Sequence, residues 1–118
     1  MKTLQLFSVV TALMLVAPSR GYCNFYSGSE LLEMCSASKD DAVYYQKQSE
    51  CRGFIVGVAD SARCTNPVNG YSWSSAEHVT QGQVVKVVVK WLNEHPEKLH
   101  FASAGLVANA LEDAFPCP

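Results

Sequence analysis

Five cysteines, Cys23, Cys35, Cys51, Cys64 and Cys117, are the residues of this chain best equipped for chemistry. A cysteine can act as a nucleophile, a metal ligand or half of a disulfide, and its setting separates the three roles. No CxxC occurs, and His78, His95 and His100 lack the spacing of a zinc motif, so neither a metal site nor a cofactor is expected. A catalytic thiolate needs a base and an orienting group around it, and no cysteine has a recognisable setting of that kind. The carboxylate pairs Asp40-Asp41 and Glu112-Asp113 read as helix edges or caps. Asp60, in an apolar stretch, reads as the partner of a buried polar group. One lone carboxylate makes no mechanism. There is no phosphate loop and no G-x-S-x-G. An enzyme is not expected.

Structural bridging is the better use for the cysteines, because the chain carries an export signature. Met1 and Lys2 give a positive start, residues 4–17 form a mostly apolar run, and Pro18 breaks it. Ser19 and Gly21 are small residues two apart, as signal peptidase requires, so cleavage after Gly21 is expected. The run is too short to cross a bilayer as an anchor, which takes about 20 apolar residues. Arg20-Gly21-Tyr22 before Cys23 is a poor site for lipid attachment. Residues 1–21 are therefore predicted to be a signal peptide and residues 22–118 a single domain. In short exported chains cysteines pair. Four can pair here, and Cys23, nearest the processed end, is taken as the odd one out.

Charge narrows the partners. Nine Lys and Arg stand against eleven Asp and Glu, a formal net charge of −2. Loss of Lys2 and Arg20 lowers it by two more, to −4. An acidic domain without a basic patch is a poor ligand for nucleic acid.

The elements that must position the cysteines read as helices. Residues 27–38 form a short first helix, with Ser27 and Glu30 at capping-box spacing. Residues 51–63 form the second, on the recurrence of Phe54, Ile55, Val58, Ala59 and Ala62, and the polar residues 36–48 before it read either as a linker or as its early turns. Gly53, Gly57 and Ser61 lie four apart on it. Glycine costs a helix about 1 kcal/mol, so close approach by another helix backbone is expected there. Residues 64–79 have no period, and Asn66-Pro67 and Asn69-Gly70 mark turns. Residues 80–94 are valine-rich and would suit a strand. A second capping box (Thr80, Gln83) and the polar edge Lys86, Lys90, Glu94 decide for a third helix, ended by His95-Pro96. Residues 100–115 form the fourth, with Ala104, Val107, Ala108, Leu111 and Phe115 inward. The fold class expected is all-α, a small disulfide-bonded bundle of about four helices.

Up-and-down packing with short connections then assigns the bridges. Cys35 ends the first helix and Cys51 starts the second, so both lie at one end. Cys64 follows the second helix at the other end, and the fourth helix returns Cys117 to it. A helix of about 13 residues separates Cys51 from Cys64 by roughly 20 Å. A disulfide spans only about 4.4–6.8 Å between Cα atoms. The predicted pairs are Cys35–Cys51 and Cys64–Cys117, each worth about 2–4 kcal/mol.

The ordered motifs carry a resemblance. They are Leu31-Leu32-Glu33-Met34-Cys35, then Cys51-Arg52-Gly53-Phe54-Ile55-Val56-Gly57-Val58-Ala59-Asp60, then Cys64 and Pro67. Val79-Thr80-Gln81-Gly82-Gln83, Trp91-Leu92, His95-Pro96-Glu97 and Phe115-Pro116-Cys117 complete the series. Together they resemble the Rap/Tai family of type VI secretion immunity proteins over nearly all of the mature chain. The resemblance implies a periplasmic, mostly helical protein, often a homodimer. Such a protein blocks a peptidoglycan-cleaving amidase effector by inserting a loop into its catalytic cleft. On this reading the partner is a protein effector, with no membrane anchor after signal cleavage. The contact is expected through the loop bearing Asn69, Tyr71, Trp73 and Glu77, since aromatics anchor interfaces; the alternative is that the Tyr71 and Trp73 rings fold back on the core. The alternatives are a periplasmic stress chaperone and an envelope protein of another kind.

Overall fold

The computed structural model describes residues 24–75 and 78–118. The expected signal peptide, Cys23 and Glu77 lie outside the described residues. Within them the chain forms four α-helices and no strand: α1 (Gly28–Cys35), α2 (Tyr44–Ser61), α3 (Gln81–Glu94) and α4 (Ser103–Ala114). A 3₁₀ turn, Pro96–Lys98, joins the last two. Every helix touches the other three. The expected all-α class is what the chain adopts, and none of the described helices is long and apolar enough to cross a membrane.

Both capping boxes form. The Ser27 hydroxyl accepts from the Glu30 N–H at 3.3 Å, and the Glu30 carboxylate accepts from the Ser27 N–H at 2.7 Å. Two otherwise orphaned donors are satisfied reciprocally. The Ser27 backbone N–H, and then its hydroxyl, hold the Glu30 carboxyl below its usual range. Thr80 and Gln83 repeat the device at 3.2 and 2.8 Å. The valines of α3 are thus helical because its start is capped and one face is apolar. Val84, Val88, Trp91 and Leu92 are buried, while Lys90 pairs with Glu94 at 3.8 Å outside.

Two helix starts differ from the sequence reading. α2 begins at Tyr44, seven residues before Cys51. Its extra turns are built from helix formers such as Gln46, Lys47 and Glu50. The start is held by Asp41, whose carboxylate accepts from the Val43 N–H at 2.9 Å and whose carbonyl accepts from the Tyr44 N–H at 3.0 Å. The Lys47 ammonium reaches the same carboxylate at 2.8 Å. That hydrogen bond, followed by the one from Val43, holds the Asp41 carboxyl below its usual range, and it raises Lys47 in return. α4 begins at Ser103 rather than His100. Residues 99–102 are drawn instead into pairing with the start of α1. Gly28 N–H donates to the Phe101 carbonyl and Ser29 N–H to the Leu99 carbonyl, each at 3.0 Å. The Ser103 hydroxyl, the buried polar group of this seam, donates to the Tyr26 carbonyl at 2.7 Å.

The core is one cluster. Leu31, Ile55, Val88, Leu92, Val107 and Leu111 are fully buried within it. Gly28 sits where α1 crosses the 99–102 seam. A Cβ there would stand 2.5 Å from Leu106 Cδ1 and 3.0 Å from the Leu99 backbone, so the crossing needs a glycine. Gly53 and Gly57 differ. Nothing lies within 4 Å of a Cβ at either position. The helix contact expected there is absent among the described residues, because α2 buries the Cys51, Ile55, Ala59 stripe and turns the glycines outward.

Two disulfides hold the bundle, Cys35–Cys51 with Cα atoms 5.2 Å apart and Cys64–Cys117 at 5.9 Å. These are the pairs that helix parity gives. The route differs in one respect, since Cys51 lies well inside α2. The end of α1 therefore meets the flank of α2 rather than its tip, and Gln48 secures the meeting by donating to the Met34 and Cys35 carbonyls.

Candidate functional site

The segment after α2 is short of regular structure yet closely tied. α2 ends without a glycine cap, leaving carbonyls that need donors. Trp73 supplies two of them: its indole N–H donates to the Ala59 carbonyl at 2.7 Å, and its backbone N–H to the Ala62 carbonyl at 3.1 Å. Asn66 donates to the Ser61 carbonyl at 3.1 Å. The Trp73 ring is 5% exposed and lies 5.9 Å from the Phe115 ring. From the other side, the Glu112 carboxylate accepts from Ser72 N–H at 2.8 Å and the Phe115 carbonyl from Ser74 N–H at 3.0 Å. With the Cys64–Cys117 bridge, these contacts sew the loop to the end of α4.

One part of the loop reaches outward. Val68 and Tyr71 exchange both backbone hydrogen bonds, at 2.8 and 2.9 Å, around a two-residue turn. Asn69 and Gly70 carry φ of 50° and 85°, the pattern that favours Asn-Gly in such turns. The turn leans on α4 at Gly105, where a Cβ would stand 2.7 Å from Asn69 Nδ2.

Between this turn, the 98–102 segment and α4 lies a half-open groove of about 660 Å³. Gly105 and Leu106 are among the apolar residues lining it. Tyr71 and Asn69 line one side, Lys98, His100 and Phe101 the other. Phe101 is 54% exposed, and the His100 ring lies 4.1 Å from it. The Lys98 ammonium stands 5.1 Å from the Trp91 ring centroid, a cation–π arrangement. Trp91 is fixed in turn by the Asp113 carboxylate at 2.6 Å and by His95 stacked at 4.0 Å.

The residues singled out in the sequence therefore part company. Asn69 and Tyr71 sit together on the groove. Trp73 is a core residue that closes α2, so its ring is not presented to a partner, a correction to its expected place on the contact surface. The reason is burial: the ring finds both an apolar neighbour and a hydrogen-bond acceptor inside. Asp60 is exposed and pairs with Arg63 at 3.6 Å, so it serves no buried polar group. Glu112 and Asp113 are structural acceptors. His100 and Phe101 were not singled out, because residues 100–115 read as one helix, and Lys98 lies in the short link before it. The polar-aromatic pair His100-Phe101 just after the Pro96 stop was the available signal.

The groove offers apolar surface, exposed aromatic edges, side-chain amides and one ammonium on a rigid frame. That is equipment for binding. In comparison with known proteins, a family model described as Rap1a immunity proteins matches residues 27–117. No curated protein matches the chain.

Proposed function

This chain belongs to the Rap1a immunity protein family, and from that premise we propose that it neutralises a peptidoglycan amidase delivered by type VI secretion, binding it in the periplasm and occluding its catalytic cleft. The family carries the coarser statement, an immunity protein that binds a protein effector. The observation that best supports a contact site is the groove beside the Asn69-Gly70 turn, with Tyr71 and Phe101 at its edges. Aromatic anchors around an apolar centre are the usual makings of a binding hot spot. The frame is stiff, so little ordering entropy would oppose association. The family and the two disulfides suit a compartment outside the reducing cytosol. No chemistry by this chain is required.

The test is co-purification with a candidate amidase, followed by a peptidoglycan-clearing assay. Stoichiometric loss of clearing supports the reading. A stable complex in which the amidase keeps full activity would overturn occlusion. The variant Phe101→Ala, at a ring 54% exposed, is expected to weaken the complex at least tenfold with little change in melting temperature, in keeping with about 1.4 kcal/mol per tenfold. The homodimer implied by the family resemblance is proposed alongside, and sedimentation of the disulfide-intact protein tests it.

A further inference from the structure

We propose that the groove beside the Asn69-Gly70 turn is a receptor for an extended peptide segment that places an apolar side chain next to a carboxylate. Three features carry this. The first is charge. Among the described residues the groove is lined by one permanent cation, Lys98, and by His100, and by no carboxylate, in a chain whose formal net charge is −2. The nearby Glu112 carboxylate is already engaged by the Ser72 N–H. An anionic group therefore meets a cation here with no carboxylate of the lining to repel it.

The second feature is the polar lining. Asn69 and Asn109 each bring a carbonyl oxygen and an NH₂ to the groove. A side-chain amide presents the same donor and acceptor as a peptide bond, so two of them suit the N–H and C=O groups of an extended backbone. The third is the apolar seat. Phe101 is half exposed at the rim while Gly105 and Leu106 are buried, which gives a side chain an aromatic wall and a floor. One cation is too few for an anionic membrane, which takes clusters of about 4–8 basic residues. A peptide with one acid beside one large apolar residue satisfies all three features. The proposal deepens the immunity reading, on which the identity of the protein that owns the peptide rests.

The probes are three N-acetylated, C-amidated dipeptides, Phe-Asp, Phe-Asn and Phe-Lys, titrated into isotope-labelled, disulfide-intact protein and followed by amide chemical shifts. Phe-Asp is expected to shift the amides of Asn69, Tyr71, Phe101 and Asn109, with a dissociation constant of about 1 mM. It should bind roughly 2–5-fold more tightly than Phe-Asn, the range expected of an exposed ion pair, and Phe-Lys more weakly than either. Lys98→Gln should abolish the preference for Phe-Asp, with only the small loss of melting temperature expected from its contact with the Trp91 ring. Shifts spread over the molecule, or equal affinity for the three dipeptides, or a preference that survives Lys98→Gln, would overturn the proposal. The two readings fail separately. An effector that binds wild type and Lys98→Gln alike removes this proposal and leaves immunity standing. Dipeptide selectivity without an inhibited amidase does the reverse.

Discussion

Replacing Trp73 by Phe separates its structural role from the contact role that its place in a turn-rich loop suggests. The change keeps an apolar ring in the core and deletes the indole N–H. That N–H meets the Ala59 carbonyl at 2.7 Å in a side chain only 5% exposed, and Ala59 is in the last turn of α2, where carbonyls lack helical partners. Removing one partner of a buried hydrogen bond costs about 1–3 kcal/mol. A domain of this size loses roughly 4–8 °C of melting temperature per kcal/mol, so a fall of about 4–24 °C is expected. Trp73→Ala adds a cavity and should cost about 3–5 kcal/mol or more, a large part of the 5–15 kcal/mol typical of a domain. Tyr71→Phe, two residues earlier in the chain and on the groove, should stay within about 0.5 kcal/mol. The assay is urea unfolding by circular dichroism with disulfides intact, with partner binding measured on the same samples. Stability of Trp73→Phe within about 0.5 kcal/mol of wild type, together with weakened partner binding, would refute the reasoning and return Trp73 to the interface.

Gly53→Ala/Gly57→Ala should stabilise the protein by about 1–2 kcal/mol, since both sit in α2 with open space around them and alanine is the better helix former by nearly 1 kcal/mol each; a loss on urea unfolding would instead reveal a contact on that face. Gly28→Ala should destabilise by about 1–3 kcal/mol through overpacking against Leu106 and the Leu99 backbone, read from the same unfolding curves. Asp41 is held below its usual range, first by Lys47 and then by the Val43 N–H, so its contribution is present above the unfolded carboxylate value and is lost as pH falls through the lower folded value. Asp41→Asn should therefore be less stable than wild type at neutral pH, and the gap should close below about pH 4, as melting curves across that window will show. Lys47 is raised, so its share persists from neutral pH upward until the pH passes its folded value.

The amino-acid sequence determined the four helices, the capped starts of α1 and α3 and the bridge pairing, because caps and stripes depend on short-range rules. A capping box needs three residues of separation, and an apolar stripe needs only the helical period. The bridges followed from helix count and length, and they hold although α2 starts at Tyr44 rather than Cys51. The immunity family was also legible, since its motifs follow one another in order. What tertiary structure alone decided is which side of each element faces inward. Gly53 and Gly57 look like a packing seam and are open to solvent, because Cys51, Ile55 and Ala59 take the core face. Trp73 looks like a surface aromatic and is a cap for α2, because the nearest free acceptor is a carbonyl fourteen residues earlier in the chain. The groove unites Asn69 with Lys98, Phe101 and Asn109, residues that no local rule relates. Their meeting depends on the α1 seam that holds 99–102 out of α4 and on the glycine at 105 that lets the turn lean in. Such placements arise from packing across the chain, and sequence spacing carries no record of them.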